Sequence, residues 1–185
     1  MQLIDEAKNI VLIGPMGSGK SAVGRTIAKK LGRRFIDTDR YIERKMDKTI
    51  PEIFENDSES TFRRFEKEVI KKISQYIGMV IATGGGAIKD PENFNTLRAS
   101  GWIVALFASS STLYQRIEGK RIRPLLSNKE DPLKTLDEIT EQRKHIYAQA
   151  DFQISTENKD INDIADEIID LLNTSNKISQ LELGH

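Results

Sequence analysis

The segment Gly14-Pro15-Met16-Gly17-Ser18-Gly19-Lys20-Ser21 decides the fold of this chain. It matches the pattern G-x-x-x-x-G-K-[ST] of a phosphate-binding loop, or P-loop. The apolar run 9–13 before it is rich in β-branched residues and predicts a buried strand. The spacing of Val23, Ile27 and Leu31 after it predicts a helix. This order creates an anion site, because the backbone N–H groups and the helix dipole both favour phosphate.

Two side chains of this loop carry the chemistry of such a site. Lys20 is placed to reach the β- and γ-phosphates of a nucleotide, and the Ser21 hydroxyl is placed to ligate Mg²⁺. The alternative is a glycine-rich turn that only caps an ordinary helix. The strand before the loop and the helix after it favour the phosphate site.

Composition narrows the class of protein. The chain has 185 residues, a length typical of one domain. It has no cysteine, which excludes disulfides and thiolate metal sites and favours a reducing compartment. Lys plus Arg and Asp plus Glu both number 28, and this zero net charge argues against a general nucleic-acid binder. We find no signal peptide pattern and no apolar run of membrane-spanning length, so we expect a cytoplasmic protein.

Two carboxylates, Asp37 and Asp39, end a second predicted strand that begins at Phe35. In open α/β sheets, ligands bind at the carboxyl ends of strands. These acids therefore predict a contact to magnesium or to a hydroxyl group. The alternative is that Asp39 caps the helix that follows, 40–45, and both can hold.

An amphipathic helix follows, begun by Ser58 or Ser60, and it carries Arg63 and Glu66. These two side chains are three residues apart and therefore within reach of each other. Taken alone, such a pair is usually a solvated surface bridge that adds little stability.

Three glycines, Gly84, Gly85 and Gly86, come directly after a third apolar strand, 79–82. Because glycine costs backbone entropy, such a run suggests the close approach of a ligand or of another backbone segment. A plain loop is the alternative.

The segment 118–131 is polar and has little apolar periodicity. Its length is typical of a mobile lid, and its Arg121 and Arg123 are in place to reach a transferred phosphate. Solvated charge on a surface loop is the alternative for either arginine.

Strand and helix patterns alternate through the rest of the chain. Further strands are predicted at 102–107 and 152–155, and further helices at 91–99, after Ser109 or Ser110, at 133–147 and at 161–172. This alternation predicts an α/β fold, a three-layer α/β/α sandwich around a five-stranded parallel sheet. We expect one domain over 1–173, with a lid at about 118–131, and a flexible C-terminal tail over 174–185.

The motifs, in this order, resemble those of the shikimate kinase family. The resemblance covers about residues 10–156 and rests on 14–21, 35–39, 62–66, 83–86, Arg116, 123–126, and Arg143 with Tyr147. It implies a P-loop fold like that of nucleoside monophosphate kinases, with sheet order 2-3-1-4-5, and a monomer. It also implies transfer of the ATP γ-phosphoryl group to the 3-hydroxyl of shikimate, giving shikimate 3-phosphate and ADP in aromatic amino-acid biosynthesis.

The resemblance implies a nucleotide half of the site. The phosphates of ATP are held by the loop residues Gly14, Pro15, Met16, Gly17, Ser18, Gly19, Lys20 and Ser21. Arg116 packs against adenine, and Arg123 is the arginine of the lid. In the family's arrangement, Mg²⁺ is ligated by Ser21 and reached through water by Asp37.

The resemblance implies a substrate half as well. Shikimate is bound by Asp39, Arg63, Gly84, Gly85, Gly86 and Arg143. Asp39 is also the candidate base, so the catalytic residues would be Lys20, Asp39 and Arg123. The chemistry agrees, because two arginines can clamp a carboxylate and one carboxylate can accept bonds from two hydroxyls.

This chain departs from the family's pattern in two places. Ser58-Glu59 stands where the family usually has Gly-Glu. The segment 157–160 lacks the arginine and the proline that the family often has there, so its adenine contacts stay unassigned.

Two other functions compete with this interpretation. A gluconate or nucleotide kinase would keep the P-loop but would not need Asp39, Arg63 and the glycine run together. A nucleotide-binding module without catalysis would bind ATP and release no ADP with any acceptor.

Overall fold

A five-stranded parallel sheet forms the centre of the molecule. The computed structural model describes residues 4–118 and 131–183. Its strands are β1 (Asn9–Ile13), β2 (Phe35–Asp37), β3 (Val80–Ala82), β4 (Gly101–Phe107) and β5 (Phe152–Ser155). They lie in the order β2-β3-β1-β4-β5, and every neighbouring pair is parallel. The α/β fold and the sheet order expected from the resemblance are confirmed.

Helices connect the strands and cover both faces of the sheet. They are α1 (Lys20–Leu31), α2 (Thr38–Met46), α3 (Ile50–Asn56), α4 (Glu59–Ile73), α5 (Pro91–Ser100), α6 (Ser110–Ile117), α7 (Pro132–Tyr147) and α8 (Ile161–Leu183). A short 3₁₀ turn, Ala87–Lys89, precedes α5.

The alternation of side chains along β1 divides the core into two layers. Ile10 and Leu12 face α1 and α8, whereas Val11 and Ile13 face the layer that contains α3, α4 and α5. All four side chains are fully buried. Successive residues of a strand point to opposite faces, so a central strand covered on both sides is apolar throughout.

Asn9, at the start of β1, is a buried polar residue that joins β1 to the turn before β3. Its Nδ2 donates to the carbonyl of Tyr76 at 2.7 Å, and its Oδ1 accepts from the N–H of Met79 at 2.8 Å. One amide thereby satisfies two backbone groups of this turn, which would be costly to leave unpaired in the interior. The same amide helps to fix the register of β1 against β3.

The starts of α4 and α6 fall at one of the two serines predicted for each helix, whereas α2 begins earlier than predicted. Ser58 begins α4 and Ser109 begins α6. The N-cap of α2 is Asp37, whose carboxylate accepts from the N–H of Arg40 at 3.2 Å. The alternative in which Asp39 caps this helix is therefore wrong.

The predicted end of the last helix is also wrong, because α8 continues to Leu183. Neither proline nor glycine interrupts the sequence between Ile161 and Leu183, so no local signal stops the helix.

The flexibility of 174–185 and the single-domain boundaries stay predictions. Most of the lid, with Arg121 and Arg123, lies outside the described residues. None of the helices in 4–118 and 131–183 combines the length and apolar character of a membrane span.

Ser58 adopts an unusual backbone conformation at the N-cap of α4. Its φ is +83° and its ψ is 157°, a region that is nearly exclusive to glycine. As an N-cap, the Ser58 Oγ accepts a long bond, 3.4 Å, from the N–H of Thr61. This is the position where the sequence departs from the Gly-Glu of the similar family.

We expect Ser58→Gly to raise the free energy of unfolding, measured by urea denaturation, by about 1 kcal/mol, because relief of strain exceeds the few tenths lost with the cap. Ser58→Ala is the matched control, since it removes the hydroxyl but keeps the strained Cβ. It should lower the same free energy. A Ser58→Gly variant that is less stable than the parent would contradict this account of the turn.

Candidate active site

The register of three strands brings the predicted motifs to one edge of the sheet. Leu12 of β1 and Asp37 of β2 are both paired with Ala82 of β3. The segments that follow these residues therefore leave the sheet at the same level. They are the P-loop, the pair Thr38-Asp39 and the glycine run. This edge is where open α/β sheets bind their ligands.

The P-loop is closed around the ammonium group of Lys20. The Lys20 Nζ donates to the carbonyls of Gly14 and Pro15 at 2.8 and 2.7 Å and lies 3.4 Å from the Ser18 Oγ. The lysine is buried, although its charge is one that proteins rarely bury without partners. These bonds hold the lysine charge at the N-terminus of α1. An anion bound there would be attracted by both the lysine and the helix N-terminus.

A cleft of about 500 Å³ runs along this loop. It is lined by most of the predicted nucleotide residues together with the two acids, namely Met16, Gly17, Ser18, Gly19, Lys20, Ser21, Asp37, Asp39 and Arg116. The same cleft thus contains a phosphate loop and two carboxylates. Thr83, Thr156, Lys159 and Ile161 also line it, and the sequence had given them no role.

Ser21 and Asp37 form the oxygen pair expected at a magnesium site. The Ser21 hydroxyl donates to Asp37 Oδ2 at 2.5 Å. Over the described ranges, no group of three or more His, Cys, Asp and Glu side chains forms a metal cage. Two protein oxygens beside a phosphate loop suit Mg²⁺, which usually keeps several waters and takes further ligands from nucleotide phosphates.

The glycine run holds the acids and arginines of the site at short range. The N–H of Gly84 donates to Thr38 Oγ1 at 2.8 Å, which places this residue against the side chain of Asp39. A Cβ at Gly84 would lie 2.2 Å from Asp39 Oδ1, and a Cβ at Gly86 would lie 2.8 Å from both Nη atoms of Arg63. A residue with a Cβ would therefore displace the Asp39 carboxylate at Gly84 or the Arg63 guanidinium at Gly86. The close approach is to site side chains, not to another backbone segment.

Arg143 reaches the same turn from α7. Its Nη1 donates to the carbonyl of Gly85 at 2.6 Å, and the side chain is buried. The turn therefore gathers Asp39, Arg63 and Arg143 from three different helices. These are the residues that the sequence had assigned to one substrate.

Arg63 and Glu66 form a partly buried pair, so the expectation of a solvated surface bridge is wrong. Their closest atoms are 2.7 Å apart, and Glu66 is only 1% exposed. Burial raises the pKa of the Glu66 carboxyl; Arg63 opposes this shift, and the nearby Asp39 adds to it. Burial lowers the pKa of Arg63, but Glu66 and Glu59 outweigh that effect and the net shift is upward.

Sequence reasoning paired Glu66 with Arg63 but assigned it no role in the site. Glu66 lies close to Gly84, since a Cβ there would be 3.3 Å from Glu66 Oε1. Its spacing from Arg63 was visible in the sequence, but spacing alone does not show which face of a helix is buried. Glu66 fixes the guanidinium of Arg63 beside the glycine turn.

Arg116 closes the other end of the cleft. Its two terminal nitrogens donate to the hydroxyl and the carbonyl of Thr156 at 2.8 and 2.7 Å, and one of them also reaches the carbonyl of Gly17 at 3.4 Å. The guanidinium is thereby fixed between the P-loop and the segment after β5. Arg123 lies outside the described residues.

This arrangement suits two different ligands. The cations and N–H groups of the P-loop suit a polyphosphate, whereas Asp39, Arg63 and Arg143 suit a small acid with several hydroxyl groups. Asp39 lines the phosphate cleft and also touches the glycine turn. The two halves therefore meet at this carboxylate.

Comparison with known protein families gives a match over most of the chain. Residues 16–173 match the family model described as shikimate kinase. The shikimate kinase of Symbiobacterium thermophilum is 44% identical over 167 residues, which are 89% of this chain and 95% of that protein. The shikimate kinase of Histophilus somni is 40% identical over 168 residues, 90% of this chain and 96% of that protein.

Solved structures agree with the sequence comparison. A shikimate kinase from Acinetobacter baumannii in complex with shikimate superposes with a TM-score of 0.89 at 38% identity, covering 93% of this chain and 96% of that chain. A gluconokinase from Sinorhizobium meliloti superposes with a TM-score of 0.62 at 17% identity, covering 96% of this chain and 98% of that chain. The second likeness shows a common fold only.

The buried Glu66 predicts a pH dependence of stability. Because folding raises its pKa, the native protein keeps a proton that the unfolded chain releases above the ordinary glutamate pKa. The Glu66 contribution to stability should therefore fall as pH rises from that value towards neutrality. Glu66→Gln cannot ionise, so urea denaturation across this range should show the parent losing stability relative to the variant.

Glu68→Gln, an exposed glutamate of the same helix, is the matched control. A difference between parent and Glu66→Gln that stays constant, or grows in the parent's favour with rising pH, would show that burial does not control this carboxyl.

Proposed function

Since this chain belongs to the shikimate kinase family, we propose that its cleft transfers the γ-phosphoryl group of ATP to the 3-hydroxyl of shikimate. The products are shikimate 3-phosphate and ADP. One observation carries the proposal: Asp39 lines the cleft of Lys20 and also packs on the glycine turn that lies against Arg63 and holds Arg143. Phosphoryl transfer needs mainly alignment and neutralisation of charge, which this arrangement supplies.

ATP binds along the P-loop. Lys20 exchanges its bonds with the carbonyls of Gly14 and Pro15 for bonds with the β- and γ-phosphates, and the N–H groups at the start of α1 face the same oxygens. The adenine ring of ATP lies towards Arg116. The charge that builds up on the transferred group is stabilised by groups already held in place.

Mg²⁺ would be held by the Ser21 hydroxyl and, through water, by the Asp37 carboxylate. The hydroxyl and the carboxylate already lie side by side at the mouth of the loop, which supports this assignment. When bound, Mg²⁺ neutralises charge on the phosphate oxygens.

Shikimate binds over the glycine turn. Arg63 and Arg143 hold its carboxylate by charge-assisted bonds, and Asp39 accepts bonds from its ring hydroxyls. At Gly85, where the nearest protein atom would be 3.8 Å from a Cβ, the missing side chain leaves room for the ring beside the backbone. Asp39 then orients the 3-hydroxyl towards the γ-phosphate and accepts its proton as transfer proceeds.

The lid completes the site. Arg123, together with the rest of 118–131, would cover the nucleotide and exclude water, which competes with the hydroxyl as acceptor. We also propose that the protein acts in the cytoplasm as a monomer, with ATP and shikimate as its small-molecule substrates.

The function is tested by measuring ADP release with a panel of acceptors. We expect rapid, Mg²⁺-dependent release with shikimate and none above background with gluconate or nucleoside monophosphates. Comparable turnover of gluconate or a nucleotide would refute the proposal. ATP binding without ADP release for any acceptor would instead support a binding module.

Asp39→Asn tests the role of the carboxylate. Because an amide cannot accept the proton, turnover should fall by about 10²-fold or more, the usual contribution of a general base. ATP affinity, measured by calorimetry, should stay unchanged. Asp47→Asn, an exposed aspartate at the end of the same helix, should leave both quantities unchanged. Loss of ATP affinity in Asp39→Asn, or full turnover, would remove Asp39 from this role.

A further inference from the structure

Two adjacent residues after β5, Thr156 and Glu157, hold the two ends of helix α6. Thr156 bonds to Arg116 near the C-terminus of that helix, and Glu157 bonds to Ser109 and Thr112 at its N-terminus. The helix is eight residues long. A helix of this length has little stability of its own, so its position depends on such contacts.

Thr156 connects the C-terminal end of α6 to the sheet by hydrogen bonds. Thr156 is buried, and its N–H donates to the carbonyl of Phe107 at 2.8 Å, at the end of β4. Its hydroxyl and carbonyl both accept from Arg116. This end of α6 is therefore tied to the sheet itself.

The Glu157 end is held by a carboxylate that comes from a distant part of the chain. Glu157 Oε2 accepts from the N–H of Ser109 at 2.8 Å, and Oε1 accepts from the Ser109 hydroxyl at 3.3 Å and from the Thr112 hydroxyl. The Thr112 bond, followed by that of the Ser109 N–H, lowers the pKa of the Glu157 carboxyl. A negative charge at a helix N-terminus is also favoured by the helix dipole.

Helix α6 in turn supports the P-loop. Leu113 is fully buried against Met16 and Leu136. The Leu113 carbonyl lies so close to the loop that a Cβ at Gly17 would be 2.6 Å from it. A displaced α6 would therefore disturb Met16 and Gly17 as well as Arg116, and all three line the nucleotide cleft.

We propose that Glu157 is a positioning residue for the nucleotide half of the site. It acts through α6 and is not itself among the residues that line the cleft. It keeps the guanidinium of Arg116 and the Met16–Gly17 part of the loop in the geometry that receives ATP. This inference rests on the proposed function, because it takes the cleft to be the ATP site.

The substrate half should respond less to the loss of this carboxylate. Asp39 and Arg63 lie on α2 and α4, which come between β2 and β3 in the chain, whereas α6 follows β4 on the other side of β1 in the sheet. Arg143 lies on α7, which contacts α6 through Leu136 and through a bond of 2.7 Å from Ser110 to Asp137, but its guanidinium is held by the carbonyl of Gly85. A positioning role therefore predicts separate effects on the two substrates, which a general loss of stability would not give.

The test compares Glu157→Ala, Glu157→Gln and the parent in steady-state kinetics, at a temperature where all are folded by circular dichroism. For Glu157→Ala we expect the KM for ATP to rise roughly three- to tenfold, the size of losing a helix cap. The KM for shikimate should change by less than about twofold, within the usual scatter of such effects. Glu157→Gln should restore most of the loss, since its amide oxygen can still accept from the Ser109 N–H.

A calorimetric titration with ADP, without shikimate, measures the nucleotide half alone. The affinity for ADP should fall in Glu157→Ala in parallel with the KM for ATP. Glu141→Ala, an exposed glutamate of α7 that pairs with Lys144, is the matched control and should behave as the parent. If Glu157→Ala does not fold, Thr112→Val, which removes one of the bonds to this carboxylate, should show the same separation of effects in weaker form.

Unchanged ADP affinity in a folded Glu157→Ala, or an equal rise of both KM values, would overturn the proposal. Failure of the parent to phosphorylate shikimate would overturn the proposed function instead, while the ADP titration would still decide the role of Glu157.

Discussion

The absence of side chains at Gly84 and Gly86 is the constraint on which the site depends. The space that a Cβ would occupy is already taken by Asp39 at one position and by Arg63 at the other. Between them, the carbonyl of Gly85 holds Arg143. The bare backbone at these two positions therefore lets Asp39 and Arg63 approach the turn that holds Arg143. Glycine loses more conformational entropy on folding than other residues, and this close approach offsets that cost.

The register of the sheet explains why the phosphate loop and the glycine turn are adjacent. β1 ends in the phosphate loop and β3 ends in the glycine run, and the parallel register of these strands sets them side by side. The fold brings a phosphate site to this edge, but the fold alone does not choose an acceptor. In the proposed function, that choice falls to the side chains that surround the turn, and these come from α2, α4 and α7.

Sequence reasoning reached the parts of this site that are local in the chain. The P-loop is one segment with its strand and helix on either side, so Lys20 and Ser21 could be placed from spacing alone. Arg143 and the sheet order could not, because both depend on how distant segments meet; they came from the resemblance of the ordered motifs to a family. Glu66 was misjudged because periodicity shows that a helix has two faces, not how deeply a polar residue between them is buried.

The order of the strands has a consequence for how the molecule forms during synthesis. β1 is the central strand, yet its neighbours are β3 and β4, and Asn9 is joined to residues about seventy positions later. The nascent segment that contains the P-loop cannot acquire its final register until the ribosome has released residues as far as 107. Such long-range pairing slows folding. The nucleotide therefore cannot serve as an early template for the chain, and ligand-assisted folding can begin only after more than half of the polypeptide has emerged.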